Sequence, residues 1–242
     1  MKQAMIFAAG LGTRLKPLTD TMPKALVPIN GQPLLWHVIQ KLKAAGFEHI
    51  VVNVHHFAQQ IVDYLKENDN FGLSILISDE TNELLETGGG IKKAQTLFDA
   101  EHPILIHNVD ILSNLDLNSV YEQAAHTTTL VVSWRQTQRY LQFDEQMRLV
   151  GWKNNATGEV KGHEAKPFAF SGIHVFHPFL FPLMEEWPER FPIMDFYLKV
   201  CEQQPIQGYE ATQLKLMDVG KIDTLSEATL FQEALLKREH SL

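Results

Sequence analysis

Residues 4–24 read AMIFAAGLGTRLKPLTDTMPK, and this stretch decides the fold of the 242-residue chain. Its first six residues are apolar and predict a buried strand, which two glycines, a hydroxyl and an arginine follow directly. Glycines let the backbone bend tightly and bring its N–H groups close to an anion. Arg14 and Lys24 then supply positive charge where phosphate oxygens would lie. The pattern indicates a strand that leads into a polyphosphate-binding loop.

Two well-known phosphate loops do not fit this stretch. The dinucleotide fingerprint G-x-G-x-x-G needs a third glycine where the chain has Leu15, and a helix that Pro17 would disturb. A Walker A loop needs Gly-Lys-Ser/Thr after four spacer residues, and the stretch has none. The loop therefore belongs to neither class.

The stretch resembles instead the nucleotidyltransferase family that joins a nucleoside triphosphate to a sugar 1-phosphate. The family consensus A-A-G-x-G-T-R-L-x-P-L-T, followed by P-K, is matched in full over residues 8–19 and at Pro23 and Lys24. The resemblance implies that Arg14 and Lys24 are catalytic. It also implies four nucleotide-binding residues in the loop, namely Ala9, Gly10, Gly12 and Thr13. An ordinary turn would explain the glycines but not the two cations that accompany them.

Composition and charge exclude several classes of protein. A content of 45% hydrophobic and 21% charged residues is typical of a globular chain. The net charge of −8 argues against binding to nucleic acid or to an anionic membrane. Cys201 is the only cysteine, so an internal disulfide is excluded and a reducing cytoplasm is the expected location. The sequence leaves open whether the protein is a monomer or a small homo-oligomer.

Apolar runs alternate with helical patterns through the first half of the chain. Strands are predicted at residues 4–9, 49–54, 73–78, 103–107 and 130–134. Helices are predicted at residues 34–45, 57–67, 90–98 and near 118–125. This rhythm predicts a three-layer α/β/α fold with a mixed, mainly parallel central sheet of the Rossmann-like kind. Ligands of such folds lie at the carboxyl ends of the strands.

The second half changes character and predicts a small β-rich substrate lobe. Hairpin spacing spans 141–153, and the further elements are a strand at 169–176, helices at 178–187 and 194–202, a strand at 215–219 and a closing helix at 222–237. No linker separates the halves. We therefore predict one nucleotidyltransferase domain over 1–242, with a nucleotide-binding part at 1–135 and a sugar-binding lobe with the closing strand and helix at 136–242.

Two aspartates are candidate metal ligands. Asp110 follows the apolar strand at 103–107, where the family usually has a glycine–aspartate pair and this chain has Val109. Asp218 precedes Gly220 and resembles the family's aspartate motif before the last helix. Carboxylates at the ends of neighbouring strands suit Mg²⁺, which bridges one or two carboxylates to substrate phosphates. The alternative for either aspartate is an N-cap of the next helix.

The glycine cluster at 86–90 is a candidate base-binding loop. Three glycines before a helical pattern would expose backbone groups to the edge of a base, with Glu86 or Thr87 adding hydrogen bonds. The resemblance implies nucleotide contacts at Glu86 and Gly89. The form Leu85-Glu86-Thr87-Gly88-Gly89-Gly90 looks like the members that use UTP and N-acetylmuramate 1-phosphate. The alternative is a glycine-rich helix start that binds nothing.

Four residues are expected at the sugar. In the family subgroup a serine–glycine pair lies beside the sugar, which here is Ser171 and Gly172. Asn108 lies close to Asp110 in sequence. Lys153 and Lys166 are the nearest basic residues for the sugar phosphate, although the family's Glu-Lys-Pro motif is only Ala165-Lys166-Pro167 here. Lys153 is the one we assign to the sugar, and a solvated surface role is the alternative.

The resemblance implies a Mg²⁺-dependent transfer of a nucleotidyl group from an NTP, expected to be UTP, to a sugar 1-phosphate, expected to be N-acetylmuramate 1-phosphate. Catalysis is assigned to Arg14, Lys24 and Asp110, and metal binding to Asp110 and Asp218. This reaction would serve the recycling of peptidoglycan. The enzymatic alternative is a mannose-1-phosphate guanylyltransferase, and the alternative of another class is a non-catalytic regulatory subunit that senses nucleotide sugars.

Overall fold

The computed structural model describes residues 1–239 and divides into two compact units. Unit 1 contains residues 1–84, 107–116 and the segment from Lys215 onward. Unit 2 contains residues 85–106 and 117–214. The internal boundary placed near residue 135 therefore coincides with no edge of either unit. The reason is that the chain leaves unit 1 at residue 85, returns for a short segment at 107–116, and returns again at Lys215.

The elements follow the predicted α/β alternation. The strands are β1 (Gln3–Phe7), β2 (Pro28–Ile29), β3 (Gln32–Pro33), β4 (His49–Val54), β5 (Ser74–Asp79), β6 (Ile104–Asn108), β7 (Ile111–Ser113), β8 (Thr129–Ser133), β9 (Arg139–Phe143), β10 (Leu149–Asn154), β11 (Val160–Gly162), β12 (Lys166–Phe176), β13 (Gln207–Glu210) and β14 (Leu216–Asp218). The α-helices are α1 (Leu34–Ala44), α2 (Ala58–Glu67), α3 (Glu86–Ala94), α4 (Leu117–Gln123), α5 (Phe181–Met184), α6 (Ile193–Val200) and α7 (Leu225–Glu239). A mixed, mostly parallel central sheet with flanking helices confirms the predicted fold class. Among the described residues, no helix combines the length and apolar character that crossing a bilayer requires.

Unit 1 is built on the parallel strands β1, β4 and β5, with β4 between the other two. The apolar residues of β4 and most of those of β1 are buried, as expected for strands covered by helices, whereas Leu76 of the edge strand β5 is exposed. Helix α1 buries Leu35, Val38, Ile39 and Leu42, whose spacing forms one helical stripe. Burying each such side chain stabilises the fold by roughly 1.5–3 kcal/mol. This packing fixes the ends of the strands, where the candidate site begins.

Unit 2 has a sheet rich in antiparallel pairs, as the sequence predicts for its second half. The predicted hairpin is formed by β9 and β10, which pair antiparallel with a register shift between Leu149 and Gly151. Strand β12 pairs antiparallel with both β8 and β9. Phe143 of β9, Phe168 of β12 and Phe196 of α6 are fully or almost fully buried in this unit.

Three predicted helices have clearly different bounds in the structure. The helix expected over 178–187 is only α5, because a 3₁₀ turn at Pro178–Leu180 precedes it and Pro188 disfavours a helical Trp187. The closing helix begins at Leu225, after a 3₁₀ turn at Ile222–Thr224. The helix expected over 90–98 is α3 and begins earlier, with a consequence for the glycine cluster described below.

Candidate active site

The loop after β1 turns at Gly12, which has a positive φ of 63°. A Cβ at this position would lie 2.9 Å from Cγ2 of Thr19 and 3.0 Å from Cβ of Lys24. The hydroxyl of Thr19 donates a hydrogen bond of 2.9 Å to the carbonyl oxygen of Gly12. Glycine is required here for its conformation and for the close approach of Lys24. The loop thus brings the predicted Gly12 and Lys24 together.

Asn53 and Glu80 hold the start of this loop, and sequence reasoning missed both. The side-chain oxygen of Asn53 accepts a hydrogen bond of 2.7 Å from the backbone N–H of Ala8. Its amide donates a bond of 2.7 Å to Oε1 of Glu80, which is fully buried. A polar residue inside the apolar run of β4 was the available signal, because a buried amide needs partners. Ala9 lies in this supported segment and is itself buried.

Lys24 and Asp110 form an ion pair in unit 1. The ammonium of Lys24 donates to Oδ2 of Asp110, and the two side chains are only 11% and 17% exposed. The backbone N–H of Val109 donates a bond of 3.2 Å to the carbonyl oxygen of Phe7, so the residue before Asp110 is tied to the end of β1. Asn108 ends β6 two residues earlier and is partly exposed. The structure therefore places the predicted catalytic lysine and aspartate in direct contact.

Asp218 and Arg14 lie in the same part of unit 1. Asp218 pairs with Ile111 across β14 and β7, and the N–H of Val219 donates a bond of 2.8 Å to the carbonyl oxygen of Asp110. A Cβ at Gly220 would lie 2.6 Å from Nη2 of Arg14 and 2.6 Å from Oδ1 of Asp218. The guanidinium of Arg14 and the carboxylate of Asp218 thus lie close together beside Gly220, where any larger residue would collide with them.

Neither aspartate caps a helix. Asp110 lies between β6 and β7, and Lys221 occupies the N-cap position of the turn that follows Asp218. The helix-cap alternative therefore applies to neither carboxylate. Within residues 1–239 no group of three or more acidic, histidine or cysteine side chains is placed to hold a metal ion by itself. Two carboxylates fit Mg²⁺ nevertheless, because this ion takes its remaining ligands from phosphates and water.

His107 adds no positive charge beside these groups. It is buried at the end of β6, where its Nδ1 lies 2.8 Å from the carbonyl oxygen of Asn108. Burial, and then the positive charge of Lys41, lower the pKa of His107 to about 4. The imidazole is therefore neutral at pH 7 and adds nothing to the positive charge of Arg14 and Lys24.

The glycine cluster in unit 2 is not the exposed loop that the sequence predicts. Gly88 and Gly89 lie in the first turns of α3, and their N–H groups donate bonds of 2.8 Å and 3.2 Å to the carbonyl oxygen of Phe191. A Cβ at Gly89 would lie 2.0 Å from the carbonyl oxygen of Glu189. The glycines therefore let the helix pack directly against the backbone before α6. In this packing the N–H groups of Gly88 and Gly89 are already hydrogen-bonded to the backbone of Phe191.

The other predicted residues of unit 2 have mixed surroundings. Glu86 has a positive φ and accepts a bond of 3.2 Å from Nε of Arg190. Ser171 is buried, and its hydroxyl contacts the backbone of Ile173 at 3.3–3.4 Å. Gly172 has a φ of 76° and lies where the pairing of β12 with β8 shifts register. Such an irregularity in a strand re-aims the neighbouring side chains.

Lys153 and Lys166 differ in their surroundings. Nζ of Lys153 lies 2.6 Å from Oε2 of Glu164, and the lysine side chain is 33% exposed. Lys166 begins β12 and is exposed. Of the two lysines that the sequence offers for the sugar phosphate, Lys153 is thus the one held by a carboxylate within unit 2.

Sequence comparison places the chain in a family. Residues 3–234 match the family described as Nucleotidyl transferase. The chain belongs to the nucleotidyl transferase family. This confirms the family and the enzyme class that the loop after β1 predicts.

The names of curated relatives agree with this nucleotidyltransferase assignment, and a solved structure shares the fold. An N-acetylmuramate alpha-1-phosphate uridylyltransferase of Neisseria meningitidis is 33% identical over 231 residues, 93% of this chain and 96% of the relative. A protein of the same name from Caulobacter vibrioides is 49% identical over 111 residues, which are 45% of this chain and 46% of the relative. UDP-glucose pyrophosphorylase from Acinetobacter baumanii superimposes with a TM-score of 0.78 at 19% identity, covering 96% of this chain and 93% of the other, which supports the fold alone.

The core of unit 2 in this nucleotidyltransferase contains a buried histidine, His174. His174 is buried against Tyr197, with 5.6 Å between ring centroids. Neither ring nitrogen has a hydrogen-bond partner within the described chain. Burial lowers the pKa of His174 to about 3, so the folded protein holds this imidazole neutral.

We expect the free energy of unfolding to fall as the pH drops from about 6.5 towards 3, because only the unfolded chain binds a proton at His174 in that range. His174→Phe should reduce this slope by roughly 1 kcal/mol per pH unit. Urea unfolding between pH 7 and pH 5 measures the slope. His56→Gln is the matched control, because it removes an exposed imidazole that lies outside the core of unit 2. An equal slope in His174→Phe and wild type would contradict the prediction.

Proposed function

We propose that this protein is a sugar-1-phosphate nucleotidyltransferase that transfers uridylyl from UTP to N-acetylmuramate 1-phosphate and releases pyrophosphate. The observation that carries the proposal is the convergence of Arg14, Lys24, Asp110 and Asp218 at one place in unit 1. The choice of UTP and N-acetylmuramate 1-phosphate is supported by the relative whose name states that activity and which matches 93% of this chain. We propose a cytoplasmic role in peptidoglycan recycling on the same basis.

The reaction needs positioning and charge neutralisation more than a strong base. An oxygen of the sugar phosphate, already ionised at neutral pH, forms a bond to the α-phosphorus. The bond from this phosphorus to the bridging oxygen breaks, and pyrophosphate leaves with the electron pair. Such a displacement is accelerated mainly by fixed charges aimed at the phosphoryl oxygens.

Lys24 and Arg14 supply positive charge to the phosphates of the substrates. The contact with Asp110 holds the ammonium of Lys24 in a nearly buried position, so little reorganisation is needed when an α-phosphate binds. Arg14 is more exposed and lies over Gly220, where its planar donors suit the β-phosphate and the departing pyrophosphate. The carboxylates of Asp110 and Asp218 would hold Mg²⁺, whose chemistry is to neutralise developing phosphate charge.

The test is an assay of pyrophosphate release with each NTP and a panel of sugar 1-phosphates. We expect turnover with UTP and N-acetylmuramate 1-phosphate, its loss when EDTA removes divalent ions, and recovery on addition of Mg²⁺. A preference for GTP would overturn the choice of base. Nucleotide binding in calorimetry without pyrophosphate release from any pair would overturn the catalytic proposal and support a regulatory subunit.

A further inference from the structure

Unit 2 contains a cavity of about 480 Å³ that lies beside β9, β10 and β12. It is lined by polar, charged and aromatic side chains, among them Trp134, Arg135, Tyr140, Gln142 and Lys153. Of the residues predicted to bind the sugar, only Lys153 lines it. A cavity with a few convergent polar groups is a typical small-molecule site.

Trp134 gives this cavity a fixed aromatic surface. The residue is 63% exposed, although indole is among the largest apolar side chains. Its ring packs on the buried Phe168, with 4.4 Å between centroids, and its Nε1 donates a bond of 2.7 Å to Oε1 of Glu210. The ring is therefore held in place from within unit 2 while much of its surface stays open. A fixed, open aromatic surface suits the apolar C–H face of a sugar ring.

Arg135 gives the same cavity an unbalanced positive charge. Its Nη2 donates a bond of 2.7 Å to the carbonyl oxygen of Phe170, and no carboxylate of the described chain forms an ion pair with it. The charge of Lys153, in contrast, is balanced by Glu164 at 2.6 Å, which also lines the cavity. A guanidinium that uses few of its five N–H groups can bind a carboxylate through two parallel hydrogen bonds. The cavity therefore favours an anion in a chain whose net charge is −8.

Two neutral hydrogen-bonding groups, Tyr140 and Gln142, also line the cavity. The hydroxyl oxygen of Tyr140 accepts a bond of 3.0 Å from the N–H of Thr137, so its proton remains available to a ligand. Oε1 of Gln142 accepts a bond of 2.9 Å from the N–H of Ala165, which orients the amide nitrogen as a donor. Donors of this kind match the hydroxyl and amide oxygens of an amino sugar.

We infer that this cavity binds a monosaccharide that carries a carboxylate, with the ring on Trp134 and the carboxylate on Arg135. Arg135 then selects N-acetylmuramate, which bears a lactyl carboxylate, over N-acetylglucosamine, which lacks it. The inference rests on the proposed function only for the identity of the sugar as N-acetylmuramate. Binding of the free sugar requires no turnover, so the two ideas can fail separately.

The experiment compares wild type with Arg135→Gln, Trp134→Ala and the control Arg139→Gln. Arg139 is an exposed arginine of β9 that does not line the cavity. Calorimetry or ligand-detected NMR measures the affinity for N-acetylmuramate, N-acetylglucosamine and N-acetylglucosamine 1-phosphate. The last compound separates recognition of a phosphate from recognition of a carboxylate. Thermal unfolding of each variant shows that it is folded.

We expect wild type and Arg139→Gln to bind N-acetylmuramate at least about tenfold more tightly than N-acetylglucosamine. Arg135→Gln should weaken N-acetylmuramate by about tenfold to a hundredfold and largely remove the preference. Trp134→Ala should weaken both sugars by similar factors, because stacking does not involve the carboxylate. Equal affinity of wild type for the two sugars would overturn the inference. So would an Arg135→Gln variant that loses N-acetylglucosamine 1-phosphate as strongly as N-acetylmuramate.

Discussion

Asp110→Asn is expected to lower kcat by about a hundredfold to a thousandfold at saturating UTP and sugar phosphate. Removing one preorganised electrostatic group from an active site typically has this effect. The asparagine keeps the shape of the side chain but loses a charged metal ligand and the counter-charge of Lys24. Lys24 is only 11% exposed, so the variant should also lose about 3 kcal/mol of stability through an unpaired, nearly buried ammonium. Steady-state release of pyrophosphate and urea unfolding measure the two effects.

Two further variants separate catalysis from stability. The double variant Lys24→Gln with Asp110→Asn leaves no unpaired charge, so stability should largely return while activity stays lost. Asp20→Asn is the matched control, because it breaks the exposed Lys16–Asp20 pair of the same loop, and it should change stability by less than about 1 kcal/mol and leave kcat nearly unchanged. Wild-type kcat in a folded Asp110→Asn protein would refute the assigned role.

Gly89→Ala should destabilise the protein by about 3 kcal/mol. The direction of this change in stability is informative, because alanine in a helix interior ordinarily stabilises a protein by about 1 kcal/mol relative to glycine. Here the added methyl group would lie 2.0 Å from the carbonyl oxygen of Glu189, so the backbone on one side must move. The N–H of Gly89, which now donates to Phe191, would lose its geometry in the process. Chemical unfolding gives the change in free energy.

Gly46→Ala serves as the reference for this measurement. Gly46 has a φ of 80°, but a Cβ there meets no atom within 4 Å. Its cost should therefore be about 1 kcal/mol, from backbone conformation alone. A Gly89→Ala protein at least as stable as wild type would show that α3 does not need the close approach to Glu189.

The strands in the first half of the chain could be predicted from the sequence because most of their residues are apolar, and most of those in β1, β4 and β6 are buried. Short apolar runs such as the one in β4 are typical of buried parallel strands. The predicted bounds of these strands differ from the observed ones by one or two residues at most. Strand β13, Gln207–Glu210, was missed because it contains a glycine and polar residues in place of an apolar alternation. Its pairing with β8 is a tertiary effect that no local pattern records.

The candidate site could be predicted only in part, because the proximity of its residues also depends on tertiary structure. The motif after β1 identified Arg14 and Lys24 as candidates. Their positions near the ends of apolar strands identified Asp110 and Asp218. Their proximity came from sheet geometry, which the sequence implies only in outline. The glycines of α3 were misinterpreted as an open loop, because nothing local distinguishes a glycine that admits a ligand from one that admits a neighbouring backbone. Asn53 was overlooked, since its role depends on Glu80, which follows the end of β5.

The discontinuous make-up of unit 1 bears on the order in which a ribosome can complete it. Asp110 is synthesised before residues 117–214, all of which belong to unit 2, whereas Asp218 on β14 is synthesised after them. The nascent enzyme can thus hold its lysine–aspartate pair early, yet it lacks the second carboxylate until the intervening unit has emerged. We expect stalled chains that end before Lys215 to be inert even when their earlier strands have paired.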